Sequence, residues 1–149
     1  MSDVIDQSSI RFYFSFRSPY AWLAAERLDS ELGGLGVPIE RIPIFPTPET
    51  FPNDPSAVPN KVRYIGQDIL RLARERGLKV RFPSSVDTDW ALPHAAFLGA
   101  ERHGAGQRFM VEAFRKRYCE GLDLGEDAVV ADAAKKAGLD PDAMLAAGH

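Results

Sequence analysis

Cysteine is nearly missing from this chain: Cys119 is the single one among 149 residues. An internal disulfide and a Cys-x-x-Cys redox pair are therefore excluded. Cys119 follows Phe114 and Tyr118 at the end of an expected helix and reads as a buried structural thiol. Excess charge is also lacking; the formal net charge of −3 offers no reason to expect nucleic acid or an acidic membrane surface as partner. No apolar run approaches the length of a membrane span. Residues 1–9 are polar and acidic, without the basic-then-apolar order of an export signal, so the expected location is cytoplasmic. Histidine is scarce as well. His94 and His103, the interior pair, fall on opposite sides of a helix of about 3.6 residues per turn, so no metal site is expected. No Gly-x-Ser-x-Gly elbow surrounds any serine, which argues against conventional serine hydrolysis.

What is present is one highly patterned stretch, Ile10-Arg-Phe-Tyr-Phe-Ser-Phe-Arg-Ser-Pro-Tyr-Ala-Trp-Leu-Ala24. Ile10, Phe12, Phe14 and Phe16 alternate with Arg11, Tyr13 and Ser15, the period of a strand with one apolar face. Ser18 is a preferred N-cap and Pro19 suits the first helical position. The junction thus sets a hydroxyl beside unpaired amides at the positive end of a helix dipole, where an anion, a thiolate included, is favoured. Ser18 as a helix cap and nothing more is the other reading, and both stand at this point.

The helix continues through Trp22 and Leu23, with Ala21, Ala25, Leu28 and Leu32 as its inward stripe, until Gly33-Gly34 stop it. Gly33-Gly34-Leu35-Gly36 follows a helix and precedes a strand, the reverse of a dinucleotide loop, and is rejected as one. A second strand over residues 37–44 implies a right-handed crossover and a parallel pair. Pro46, Pro48, Pro52, Pro55 and Pro59 stiffen the loop that comes next. The remainder reads as helix. Val62, Ile65, Ile69 and Leu72 form an apolar stripe closed by Gly77, and Asp68 with Arg71 makes an ordinary surface pair. Arg71, Arg74, Arg76, Lys79 and Arg81 read as solvated charges that complement the helix dipole. After a turn at residues 82–85, helices are expected from Pro93, over residues 107–119 and 128–137, and from Asp140-Pro141. Asp87, Asp89, Glu126 and Asp140 read as caps. Residues 9–58 and 59–149 divide into a strand-helix-strand portion with its proline-rich loop and a helical portion.

Phe12-Tyr-Phe-Ser-Phe-Arg-Ser-Pro-Tyr20, Asn53-Asp-Pro in the loop, and Pro59-Asn-Lys61-Val-Arg-Tyr64 with Asp68 following occur in an order that resembles a known family. The likeness continues through Ala137-Gly138-Leu139. It is to the 2-hydroxychromene-2-carboxylate isomerases and kappa-class glutathione transferases, within the Dsb-like thioredoxin-fold superfamily. The fold class this implies is α/β: a thioredoxin-like βαβ portion over 9–58 and a large all-α insertion over 59–149.

In that family a serine in place of the redox cysteine bonds the sulfur of glutathione, and Ser18 matches it. The resemblance implies Ser18 as the catalytic group and glutathione as cofactor, held by Ser18, Pro19, Tyr20, Asn53 and Lys61. Asn53 matches the family's loop asparagine, and Lys61 a lysine able to meet a substrate carboxylate. The implied activity is a glutathione-dependent isomerisation of an aromatic-degradation intermediate by a homodimer. A kappa-type transferase or peroxidase, and a non-catalytic thioredoxin-like binding module, are the alternatives. A thiol-disulfide oxidoreductase is excluded, since position 18 lacks the attacking cysteine and Ala21 stands where the resolving one would be. The family's fold continues with a cis-proline loop, an antiparallel hairpin and a final helix, which do not follow here. The expectation is that the sequence is truncated, or that a partner chain completes its sheet, and that the activity belongs to the longer parent.

Overall fold

The computed structural model describes residues 8–45, 49–84 and 88–149. Residues 1–7, together with Pro46, Pro48, Ser85 and Asp87 named above, lie outside the described residues. In chain order the elements are β1 (Ile10–Phe14), α1 (Pro19–Ala25), α2 (Leu28–Leu32), β2 (Ile39–Pro43), α3 (Pro59–Glu75), α4 (Ala91–Arg102), α5 (Gly106–Tyr118), α6 (Asp127–Lys136) and α7 (Pro141–Gly148). Short 3₁₀ turns at Gly33–Leu35 and Pro55–Ala57 join some of them. β1 and β2 pair in parallel with Ile10 opposite Ile39 and Phe14 opposite Pro43. This is the pairing that a strand-helix-strand order requires.

β1 is shorter than the alternation predicts. At Ser15 the chain turns: the Ser15 carbonyl accepts from the Ser18 N–H at 3.0 Å, and the Ser15 Oγ accepts from the Arg17 N–H at 3.2 Å. A serine that bonds its own neighbouring backbone offers an alternative to the ladder. Phe16, expected inside the strand, lies instead in this turn, yet fully buried.

The first helix is also interrupted. It stops at Ala25 and resumes at Leu28, with Arg27 at φ −109°, ψ −8°. The break sits where the Glu26 carboxylate accepts from Trp22 Nε1 at 3.2 Å and from two nitrogens of Arg115 on α5 at 2.8 and 2.9 Å. Ala21, Ala25, Leu28 and Leu32 nevertheless all face inward. On α3 the expected stripe holds from Ile65 onward, whereas Val62 is 45% exposed because the helix meets the core only from its middle, at Ile69 and Ala73. Gly77, at φ +68°, ends that helix in the left-handed conformation that suits glycine.

α4, α5, α6 and α7 pack on one another, and α1 packs against α5 and α3. Two glycines permit the closest of these approaches. A Cβ on Gly99 would stand 3.0 Å from that of Ala147, and one on Gly148 would stand 2.5 Å from Leu92 Cδ1. The strand and the helices share a single core. Phe14 meets Phe97 of α4 edge-on at 4.9 Å, Phe16 lies against Phe114 of α5 at 4.8 Å, and Trp22 stacks on Tyr118 at 5.6 Å. Two strands alone are marginal in water, so this aromatic seam supplies what the small sheet cannot. Phe97, fully buried between β1 and the helices, tests the seam. Phe97→Ala is expected to cost about 3–5 kcal/mol. Chemical denaturation should show one transition moved to lower denaturant, with sheet and helices lost together.

Candidate functional site at the strand-to-helix junction

The site is built from a cap. Ser18 has extended backbone (φ −94°, ψ 115°), its Oγ accepts from the Ala21 N–H at 3.2 Å, and Pro19 opens α1. The side chain is half-buried, so it faces both the fold and the solvent. Oγ acts as acceptor toward Ala21, which leaves the hydroxyl hydrogen to donate. Among the described residues no acceptor takes it. A partly exposed donor therefore stands beside the first turn of a helix.

The residues around it are tied down by two ion-pair networks. Arg17 donates to Ser56 Oγ at 2.7 Å and pairs with Asp54. The Asp54 carboxyl is held below the usual carboxylate range, first by the hydroxyl and amide of Ser56 and then by the Arg17 guanidinium. The proline-rich loop is thus fastened to the residue next to Ser18. On the other side the Tyr20 hydroxyl donates to Asp68 Oδ2 at 2.7 Å, and Arg71 donates to Asp68 Oδ1 at 2.8 Å. Burial, then the bond to Asp68 and its charge, push the Tyr20 phenol up to about 12. Asp68 and Arg71 are therefore more than the surface pair expected, for they join α1 to α3.

Ser18, Pro19 and Tyr20 lie together at the junction. Asn53 and Lys61 are exposed, the first beside Asp54 and the second in the opening turn of α3. Their neighbours Arg17, Asp54, Ser56 and Asp68 make the bonds that draw loop and helix toward the cap. Cys119 lies apart from this network at the C-terminal end of α5, half-buried, with burial pushing its thiol up to about 11.

Behind the junction stand two buried side chains from the helical portion that residue patterns did not single out. His94 of α4 accepts the Phe16 N–H at Nε2, 3.1 Å away, so the ring proton sits on Nδ1, which is buried and has no partner among the described residues. Its ring stacks on Phe16 at 5.3 Å and meets Phe45 edge-on at 4.7 Å. Desolvation in that apolar nest lowers its pKa to about 4, so the ring is neutral at pH 7. Tyr118 of α5 directs its hydroxyl between the carbonyl oxygens of Phe16 (3.0 Å) and Arg17 (2.8 Å). Spacing along the chain argues against His94 as a metal ligand or a catalytic base and shows no partner for it. Its actual partner lies 78 positions away, a separation that periodicity does not report. His103 bonds locally, through Nδ1 to the Gly99 carbonyl at 2.8 Å. Among the described residues no cluster of histidine, cysteine or carboxylates is arranged to hold a metal ion, and no helix is long and apolar enough to cross a membrane.

Residues 9–148 match the family model described as the DSBA-like thioredoxin domain. The chain belongs to that family. Within the DSBA-like fold, β1, α1 and β2 make the small parallel sheet and its crossover, and the helical portion follows. A 2-hydroxychromene-2-carboxylate isomerase from Sphingobium xenophagum is 29% identical over an alignment 144 residues long, gaps included, which covers 91% of this chain and 71% of that protein. The solved structure of a selenomethionine 2-hydroxychromene-2-carboxylate isomerase (HCCA isomerase) superposes with a TM-score of 0.78 at 21% identity. It covers 93% of this chain and 70% of that one, and is a likeness of fold.

His94 makes the DSBA-like chain sensitive to acid. In the unfolded chain it takes a proton near pH 6.5, in the folded chain only near 4. Stability from this group is therefore complete above about pH 6.5 and lost progressively as pH falls to about 4, by about 3 kcal/mol. His94→Gln keeps an acceptor but does not titrate. Denaturation midpoints measured across that range should fall less steeply with acid in the variant than in the parent.

Proposed function

We propose that this protein is a glutathione-dependent isomerase of an aromatic-degradation intermediate such as 2-hydroxychromene-2-carboxylate. The observation that carries the proposal is the Ser18 hydroxyl, half-exposed and with no acceptor for its proton among the described residues, in a chain whose similar relatives are named for that isomerisation. A free thiol has a pKa of about 8.5, and a donor hydroxyl at a helix terminus favours its anion. Ser18 would then stabilise the glutathione thiolate and take no part as nucleophile itself.

In the reaction so read, the ring C–O bond of the cyclic hemiketal first opens, its hydroxyl proton passing to the phenolic oxygen and leaving an α-keto carboxylate. The thiolate sulfur then adds to the conjugated carbon of this open form and the displaced electron pair moves to the ketone oxygen. The former double bond becomes single and rotates. The enolate electrons then return, the carbon–sulfur bond breaks, and the thiolate leaves unchanged. Addition and expulsion divide one difficult rotation into easier steps, with no net oxidation. Lys61, exposed at the start of α3, would meet the substrate carboxylate, and Asn53 on the fastened loop would lie near glutathione, with Pro19 and Tyr20 lining the junction. The same reading carries a cytoplasmic homodimer. A cap hydroxyl that reaches solvent and has no protein acceptor among the described residues supports catalysis over the plain binding module.

Ser18→Ala is expected to lower glutathione-dependent isomerisation about 100-fold, the scale of losing one donor to a developing or resident anion. Retention on immobilised glutathione should fall with it. A variant with full turnover and full retention would remove Ser18 from the mechanism.

A further inference from the structure

The turn that delivers Ser18 is bonded more completely than a connecting segment needs to be. In the peptide unit between Ser15 and Phe16, the carbonyl accepts from the Ser18 N–H at 3.0 Å and the amide donates to His94 at 3.1 Å. In the next unit the Phe16 carbonyl faces the Tyr118 hydroxyl at 3.0 Å and the Arg17 amide donates to Ser15 Oγ at 3.2 Å. In the third the Arg17 carbonyl faces the same hydroxyl at 2.8 Å, and the Ser18 amide donates to Ser15. Every peptide plane from Ser15 to Ser18 thus meets a polar partner at both ends, the Phe16 and Arg17 carbonyls sharing the single proton of Tyr118. Such a plane cannot swing about its axis without breaking a bond, and a bond broken inside the fold leaves a buried polar group unsatisfied.

Three of those ends belong to two side chains of the helical portion. Both are buried, Tyr118 at 4% exposure and His94 at 0%, and both reach across from helices that have their own apolar packing. Phe109, Phe114 and Phe97 already fill that core. A phenylalanine at 118 would keep the stack on Trp22, and at 94 the stack on Phe16. The polar atoms of Tyr118 and His94 add the hold on the turn.

We infer that His94 and Tyr118 are positioning residues for Ser18, through which the helical portion fixes where the junction hydroxyl stands. The inference rests on the reading of Ser18 given under Proposed function. It assigns the helices a part in that chemistry: they aim the donor at the sulfur without touching it. A donor shifted by a fraction of an ångström still binds the tripeptide but supports its thiolate less well. The effect should therefore fall on kcat and on the ionisation of the bound thiol, with little on binding.

The test uses the full chain with glutathione and 2-hydroxychromene-2-carboxylate. Tyr118→Phe is expected to lower kcat about tenfold, the scale of one lost hydrogen bond to a buried group, while KM for glutathione stays within about twofold. The pH titration of the bound thiolate, followed by its ultraviolet absorbance, should move upward. His94→Phe should do the same, and His94→Gln, which restores an acceptor, should recover most of the loss. Unchanged kcat and an unchanged thiol titration in Tyr118→Phe and His94→Phe would overturn the inference.

Amide hydrogen exchange in the unaltered chain, without glutathione, needs neither turnover nor a variant. Residues 16–18 should exchange as slowly as the middle of α5, and exchange as fast as the exposed loop at 49–53 overturns the clamp. If the unaltered chain neither bound glutathione nor turned over substrate, the proposed function would fall by itself. Exchange in Tyr118→Phe would then decide the clamp: a rise confined to residues 16–18 keeps it, and no rise removes it.

Discussion

The bond between Phe16 and His94 is the constraint on which the junction depends. It joins the second residue beyond the strand to a helix that begins far later in the chain, at 3.1 Å. Around it the Phe14, Phe16 and Phe45 rings exclude water, and exclusion strengthens the bond it surrounds. The same exclusion keeps the imidazole neutral, which is the state that can accept. Packing and polarity therefore support each other here: the rings make the bond strong, and the bond settles which backbone conformation the rings enclose.

From that point the molecule extends in two directions. Toward the core, Phe14, Phe97 and Phe114 join the parallel pair to the helices, so that a sheet too small to persist alone is held against a helical layer. Toward solvent, the cap at Ser18 is flanked by Arg17 with Asp54 and by Tyr20 with Asp68. Exposed ion pairs add little stability each. Their value here is geometric, since they bind a proline-stiffened loop and the middle of α3 to the two sides of one hydroxyl. A rigid base below and a fastened rim above are what a site needs if a donor is to meet an anion at a defined place.

Some of this could be read from residue order. Ser18-Pro19 marks the beginning of α1 because capping is satisfied within one helical turn. Residues 10–16 and 37–44 read as strands that pair in parallel because alternation and connection length are local properties, and the ladder forms over 10–14 and 39–43 within them. Other features could not be read. Val62 follows the helical stripe yet lies in solvent, because periodicity names a face and says nothing of how far along the helix its partner reaches. The break after Ala25 accompanies an arginine 89 positions away on α5. Tyr118 reads as one more aromatic beside a cysteine, although its hydroxyl reaches two carbonyls more than a hundred positions earlier.

Residue order alone thus determined the cap, the parallel strand pair, the run of helices and the family, all of which rest on contacts within a few turns or on motif spacing. The tertiary structure decided which buried polar atoms satisfy the Ser15–Ser18 backbone, and which charges fasten the loop and α3 beside it. The physical reason is that a hydrogen bond depends on distance in space. Partners separated by dozens of residues meet only after the core has brought their helices together.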